Sequence, residues 1–389
     1  TPDTPEVVVR DAKRRQRRRW LRCGAVLVVV AGAADGGIVV FGSTPPARGH
    51  HTRGSTTTSR PAPGSRPAGA QPENPGALAV APTGGLYVAD DSRNQIFERV
   101  HGGAFRVAAG DGKRGFTGDG GPAARAEIND PGAMAVAANG TLYFTAGVRV
   151  RAVLPTGTIT TIAGDGRNAS WVSNGTPALD ASLLGATALT VSPSGQLYIA
   201  TGDQVLALEP DGTLMSVLGN QGPYGGIDGL GGPAVDASAD GAAGLAFDSA
   251  GNLFVFGFDT KSILMIAPDG LASLVPGTLY PRGSGGLVST PGGAVLAMSD
   301  TSIVRLTPQG EHTVFAFPAG PSPTDSYLGV KNVAPAGIAI SPDATTYFDT
   351  DPGDGYSDEA IIASISPRGH GTLLWRRGRS ASRRAASSR

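Results

Sequence analysis

The chain has 389 residues, and its 58 glycines and 30 prolines disfavour a helical protein while fitting many short strands joined by tight turns. One cysteine, Cys23, excludes an intrachain disulfide framework and a cysteine-based zinc site. The net charge of zero is a cancellation: residues 1–75 carry 12 Lys/Arg against 5 Asp/Glu, residues 76–375 carry 14 against 27, and residues 376–389 carry 6 against none. An acidic middle is a poor partner for nucleic acid, whose binding needs phosphate neutralisation.

Residues 1–22 form a basic segment, with Lys13, Arg14, Arg15, Arg17, Arg18, Arg19 and Arg22 crowding the approach to an apolar run at 23–41. That run is 19 residues long, close to a bilayer span. Its nine Val, Leu, Ile and Phe residues favour insertion by about 3–5 kcal/mol, and Asp35 opposes it by up to about 2.5–3.5 kcal/mol. The basic flank keeps the N-terminus cytoplasmic and sends the rest across. The run reads as a single-pass signal anchor that holds the remainder outside the cell membrane. The alternative is a cleaved signal peptide, cut near Ala33 within Ala31-Gly32-Ala33, and a secreted product. Residues 42–74 are rich in Pro, Gly, Ser, Thr and Arg and read as a linker that cannot bury enough apolar surface to fold.

From residue 75 to 377 a unit recurs: a small–apolar–Ala–Val run, a turn, then Leu-Tyr-Val or its like. It reads Gly76-Ala77-Leu78-Ala79-Val80 with Leu86-Tyr87-Val88, and Gly132-Ala133-Met134-Ala135-Val136 with Leu142-Tyr143-Phe144. The aromatic position falls at Tyr87, Tyr143, Tyr198, Phe254 and Tyr347, with Val295 in the fifth copy. The first three intervals are 56, 55 and 56 residues, which marks a true repeat. Each copy holds four strand candidates, in the third at 187–191, 196–200, 204–209 and 213–218, parted by turns such as Pro210-Asp211-Gly212. Four antiparallel strands repeated six times predict an all-β, six-bladed propeller. The sixth copy supplies all four of its strands, so closure by packing of blade six on blade one is expected, without a strand lent by the N-terminus. Residues 378–389 form a basic tail.

The run Gly85-Leu86-Tyr87-Val88-Ala89-Asp90, followed by Asn94-Gln95-Ile96, resembles the NHL repeat, as does Gly251-Asn252-Leu253-Phe254-Val255. The resemblance implies a bacterial extracytoplasmic six-bladed propeller, a fold that mostly binds and in some relatives is a lactonase or lyase. Lactonase-type relatives hold a metal with Glu, Asn and Asp in the central channel, and no such set stands at the starts of the inner strands here.

Copies one to three carry inserts after the fourth strand, each ending in Pro-Ala-x-x-Ala at Pro122, Pro177 and Pro233. Proline in the first turn of a short helix is expected there. Long loops on a rigid scaffold are where binding concentrates. The candidate partner-binding residues are Asp111, Arg114, Phe116, Asp119, Asp165, Trp171, Tyr224 and Asp228. A denser acidic group, Asp349, Asp351, Asp354, Asp358 and Glu359, reads as a solvated turn. No nucleophile elbow, zinc-binding His helix or phosphate loop is present, so no catalytic residue, metal or cofactor is assigned. The expectation is a non-enzymatic binding module for a protein or envelope polymer; the alternative is an exported hydrolase or lyase, lactonase-like, with its site in the central channel.

Overall fold

The structure is a computed structural model that describes residues 71–376 apart from 101–102, 169–170, 220–228, 240, 259–260, 278–285, 291, 299–301, 317–334, 351–360 and 368–369. Blade one is Pro75–Val80, Leu86–Asp90, Gln95–Arg99 and Arg106–Ala109, hydrogen-bonded in that order, each strand antiparallel to the next. Five further sheets repeat the plan, so the chain is a six-bladed propeller of four-stranded antiparallel blades. The inner strands are Pro75–Val80, Pro131–Val136, Ala186–Val191, Ala242–Phe247, Leu287–Ser289 and Pro335–Ile340. In the third blade the strands are Ala186–Val191, Leu197–Thr201, Gln204–Leu208 and Thr213–Leu218, within one residue of the expected positions.

The strands are apolar on both faces because each sheet is sandwiched between neighbours. Leu189, Ile199 and Leu206 of blade three pack toward blade two with Val150 and Ala163, while Tyr198, Val205 and Leu218 pack toward blade four with Leu245 and Val255. The ring closes as expected. All four strands of blade six come from residues 335–376, and Ile362, Ala339 and Trp375 pack against Leu78, Val88 and Phe97 of blade one. This seam is held by side chains, and among the described residues no strand is shared across it.

All six inner strands run the same way along the channel, so their first residues share one mouth. The second-to-third turns and the ends of the outer strands lie on that same face, here called the entry face. Inner pairs carry a bulge at their entry end in five blades, for example between Pro75 and Ala77 opposite Asp90 and Ala89. Bulges at a rim bend the strand and re-aim the residues around it.

The three inserts leave from the entry face, and their described residues lie against the next blade. Each folds along the rim and joins the outer strand of the next blade: Pro122 bridges Thr158, Thr176–Pro177 pairs with Thr213 and Leu214, and Pro233 bridges Leu271. Each Pro-Ala-x-x-Ala forms a 3-10 turn, at Ala123–Arg125, Ala178–Asp180 and Ala234–Asp236. The proline is the extended residue before the turn, not its first helical residue, because there it bridges or pairs with the neighbouring blade. The leading alanine of each turn is buried, which seats the turn in the gap between blades.

Glycine is required where the inserts begin. Gly110 and Gly164 have φ of +93° and +98°, and a Cβ on them would lie 2.2 Å from the Asn94 carbonyl and 2.6 Å from the Val148 carbonyl. The chain there crosses directly over the second-to-third turn of its own blade.

Candidate functional site

The channel is narrow, about 190 Å³, and is walled by inner strands of all six blades, which present mostly apolar side chains beside backbone polar atoms. Its lining is Ala, Leu, Val, Ile and Met apart from Thr190 and Ser289, so among the described residues no titratable side chain stands on the wall. The Glu, Asn and Asp set of a lactonase-type metal site does not fit this wall. No group of three or more His, Cys, Asp and Glu side chains that could hold a metal comes together among the described residues.

Charge is concentrated instead at the entry mouth, between blades one and two. Asp90 ends the second strand of blade one and is fully buried. One carboxylate oxygen accepts the backbone N–H groups of Glu73 (2.5 Å) and Asn74 (3.1 Å), and the other accepts Ser92 Oγ (2.6 Å) and Arg93 N–H (3.1 Å). It thus ties the approach to the inner strand to the turn at 91–94. Around that turn Asn74 Nδ2 donates to Asp91 Oδ1 (3.3 Å), and Arg93 pairs with Glu73 (2.5 Å).

The turn then reaches blade two. Asn94 Oδ1 accepts the Asp130 N–H at 3.2 Å. Both residues are left-handed, with φ of 50° and 44°. Asn and Asp tolerate that region best among non-glycine residues, and such backbone concentrates at functional sites. Arg114, from the first insert, donates Nη2 to Asp130 Oδ2 (2.8 Å) and Nε to Asn129 Oδ1. Phe116 lies under the guanidinium of Arg149, 4.3 Å from the ring centre, and Arg149 Nη2 donates to the Asp165 carbonyl.

The sequence candidates therefore separate. Arg114 belongs to the mouth and Phe116 lies close by, its ring within 3.6 Å of a Cβ built on Gly147, a position Asn129 crowds as well. Asp111 and Asp165 are equivalent turn residues that fold back on their own loops. Asp111 accepts Lys113 N–H (2.8 Å), and Asp165 accepts Arg167 N–H (2.7 Å) and Ser182 Oγ (2.8 Å). Asp119 faces inward, to Arg151 (2.5 Å) and Thr161 N–H (3.0 Å). Trp171 is half-buried, next to Val172, whose N–H and carbonyl are both held by Gln204. Tyr224 and Asp228 lie outside the described residues, as do residues 23–41 and most of the acidic group of blade six, of which Asp349 is fully buried. No helix among the described residues is long and apolar enough to cross a membrane. His312 and His370 are exposed on outer parts of blades five and six.

Sequence reasoning missed Asn94, Asn129 and Asp130 at the mouth. Their signal was local: an Asn–Asp pair directly before an inner-strand Pro-Gly, and an Asn at the end of a tight Asp-Ser-Arg-Asn turn. It also missed Arg151, which stands at the register position held by Phe97 in blade one and Leu206 in blade three.

The carboxylates of the inserts give a pH signature. Burial raises the Asp119 pKa, but hydrogen bonds from Arg151 and Thr161 outweigh it and hold the group below the ordinary carboxylate range. A folded-state pKa below the unfolded value contributes stability that is present above about pH 4 and is lost as pH falls through the folded value. Stability is therefore expected to drop between pH 5 and acid. The Asp119→Asn variant should show a shallower drop in thermal midpoint over that range; an equal slope in both proteins would exclude Asp119 as a contributor.

No family model matches the chain, and no curated protein does. The resemblance to the NHL repeat accordingly rests on the residues quoted above. Solved structures do match. Virginiamycin B lyase from Staphylococcus aureus is 14% identical over 78% of this chain and 84% of its own, with a TM-score of 0.47. A putative gluconolactonase is 16% identical over 77% of this chain and 90% of its own, with a TM-score of 0.50. The PQQ-bound aldose sugar dehydrogenase of Streptomyces coelicolor is 17% identical over 76% and 95%, with a TM-score of 0.44. At these identities the likeness is one of fold. It corrects the expectation that the chain is not an enzyme. That expectation took binding as the usual work of the repeat, whereas the solved structures of this fold include enzymes, a putative gluconolactonase among them.

Proposed function

We propose that the chain is an extracytoplasmic propeller enzyme of the hydrolase or lyase class, acting on a small ester or lactone at the entry mouth between blades one and two. The observation that carries this reading is the mixed cluster of carboxylates, guanidiniums and amides gathered on the entry face between blades one and two, where Asn74 and Asp130 directly precede two of the inner strands that wall the channel. Location outside the membrane rests on the basic flank and apolar run of the sequence, and the 23–41 segment is the proposed tether.

Hydrolysis and elimination share one demand: a base to accept a proton and a cation where an oxygen becomes negative. Asp91 is exposed and suits the base, since its Oδ1 takes one long bond from Asn74. Arg114 suits the cation. Two of its five donors go to Asn129 and Asp130, which fix its plane and leave three for substrate. In hydrolysis Asp91 takes a proton from water, the new C–O bond forms at the carbonyl, and the oxyanion develops beside Arg114. The ring C–O bond then breaks and the leaving oxygen takes the proton back. In elimination Asp91 takes a C–H proton while the C–O bond breaks toward a carboxylate beside Arg114. Asn129 and Asp130 are positioning residues in both.

The test is turnover of a panel of aliphatic lactones, sugar lactones and aryl esters by the full chain, with products followed by NMR. Asp91→Asn and Arg114→Met are each expected to lower kcat/KM by about 10²-fold with the thermal midpoint kept. Arg125→Ala, exposed on the first insert, should leave it unchanged. Absence of turnover across the panel, or full activity in Asp91→Asn, would overturn the reading.

A further inference from the structure

On the face opposite the entry mouth, blades three and four part to leave a groove of about 400 Å³. One wall is the turn Ser192-Pro193-Ser194, Gln196, and the half-buried Met215 and Val217 of the outer strand of blade three. The other is Ser249, Ala250, Gly251 and Pro268 of blade four. Tyr198 and Phe247 form the floor, edge to face at 4.9 Å.

Most of the polar atoms here are already satisfied within the wall. The Ser192 and Ser194 hydroxyls bond each other at 2.8 Å. Gln196 donates to the Leu208 carbonyl (3.2 Å) and accepts from Tyr198 Oη (3.3 Å). Ser216 Oγ bonds the carbonyls of Leu218 and Gly219. Glu209 differs. It is the single charged residue of the lining, and no ion pair or side-chain hydrogen bond joins its carboxylate to the described residues. It also borders a second hollow, about 550 Å³, between blades two and three, walled by Tyr143, Ile162, Leu179 and Leu208.

We propose that the groove between blades three and four is a binding site for a small organic cation, an ammonium group carried on an apolar body, with Glu209 as its counter-charge. The size is that of a small-molecule pocket, and the apolar walls take the body of the ligand. A sugar would need several free hydrogen-bonding groups, and here the Ser192, Ser194 and Ser216 hydroxyls and the Gln196 amide already carry bonds within the wall. An anion would meet Glu209 in a region whose charge, residues 76–375, is 14 Lys/Arg against 27 Asp/Glu. That same excess raises the local concentration of cations. Met215 supplies a polarisable partner at the wall. The site lies on the far side of the disc from the proposed active site and does not depend on it.

Three probes of one shape decide the matter: 2-phenylethylamine, 2-phenylethanol and phenylacetate, titrated into the full chain by ligand-observed NMR. The amine is expected to bind saturably and about tenfold more tightly than the alcohol, with phenylacetate weakest. Glu209→Gln should bring the amine to the alcohol's level at an unchanged thermal midpoint. Ala250→Trp, an exposed rim position, should block both. Equal binding of amine and alcohol, unchanged amine binding in Glu209→Gln, or no binding of the amine up to about 10 mM would each overturn the proposal.

Discussion

Replacing Arg151 by alanine is expected to cost about 3–5 kcal/mol of stability, read as a lower urea midpoint and earlier proteolysis of residues 111–126. The side chain is fully buried, yet it carries the charge that holds the first insert to blade two. Nη1 donates to the Glu127 carbonyl (2.7 Å), and Nη2 donates to the Thr117 carbonyl (3.2 Å) and Asp119 Oδ1 (2.5 Å). Alanine removes all three bonds and opens a cavity between sheets that are otherwise close-packed. The carbonyls are left in a dry site, whereas Asp119, 43% exposed, can turn to water. Most of the loss therefore comes from the backbone acceptors and the cavity, with the ion pair a smaller part. Arg151→Met separates the two. It keeps the stem packing and loses the bonds, and should cost about half as much. Arg151→Lys should not rescue, because a point charge cannot address three oxygens held at fixed directions by a planar fork. A wild-type midpoint in Arg151→Ala would mean that the insert is held by its backbone bridge at Thr158 and the Asp119–Thr161 bond without help from Arg151.

Asp90→Ala is expected to cost about 2–4 kcal/mol and to loosen the entry mouth as well. Four donors converge on this one buried carboxylate, two from the approach to the inner strand and two from the turn that carries Asp91 and Asn94. Without it the backbone N–H groups of Glu73, Asn74 and Arg93 lose their acceptor together. Asp90→Asn keeps one oxygen and turns an NH2 toward the other pair of donors, so it should fall between wild type and alanine. Amide exchange at residues 73, 74 and 93 is the direct readout. Faster exchange confined to those amides in Asp90→Asn fits the clasp; uniform acceleration over blade one would show a role in general packing.

The fold was legible because its information is local and repeated. Each strand is short, each is bounded by Gly, Pro or Asp-Gly, and the aromatic of the second strand recurs near every 55 residues in the first four blades. The strands of blade three fall where those boundaries put them. The mouth was legible only in part, because its contacts join residues far apart in the chain. Asn94 meets Asp130 across 36 residues, and Arg151 meets Asp119 across 32. A polar residue in an exposed-looking Gly-rich loop carries no mark of whether it faces water or a buried guanidinium. Asp119 read as a surface group for that reason, and it proves to hold its insert to blade two.

The unlaced seam between blades six and one puts both ends of the propeller on one face, which bears on the proposed tether at 23–41. Pro75 opens the inner strand at the entry face, and Arg376, paired with Ile361, ends the outer strand of the adjoining blade at that same face. Both ends of the described propeller thus lie on the entry face, one at the channel and one at the outer edge, and the sequences that adjoin them are basic. A propeller tethered through residues 23–41 would look back toward the surface that anchors it, with Asp91 and Arg114 over the intervening gap and the groove beside Glu209 turned outward. Substrate would then be drawn from the thin layer next to the membrane, and the length of the 42–74 spacer would set how large a molecule can enter it.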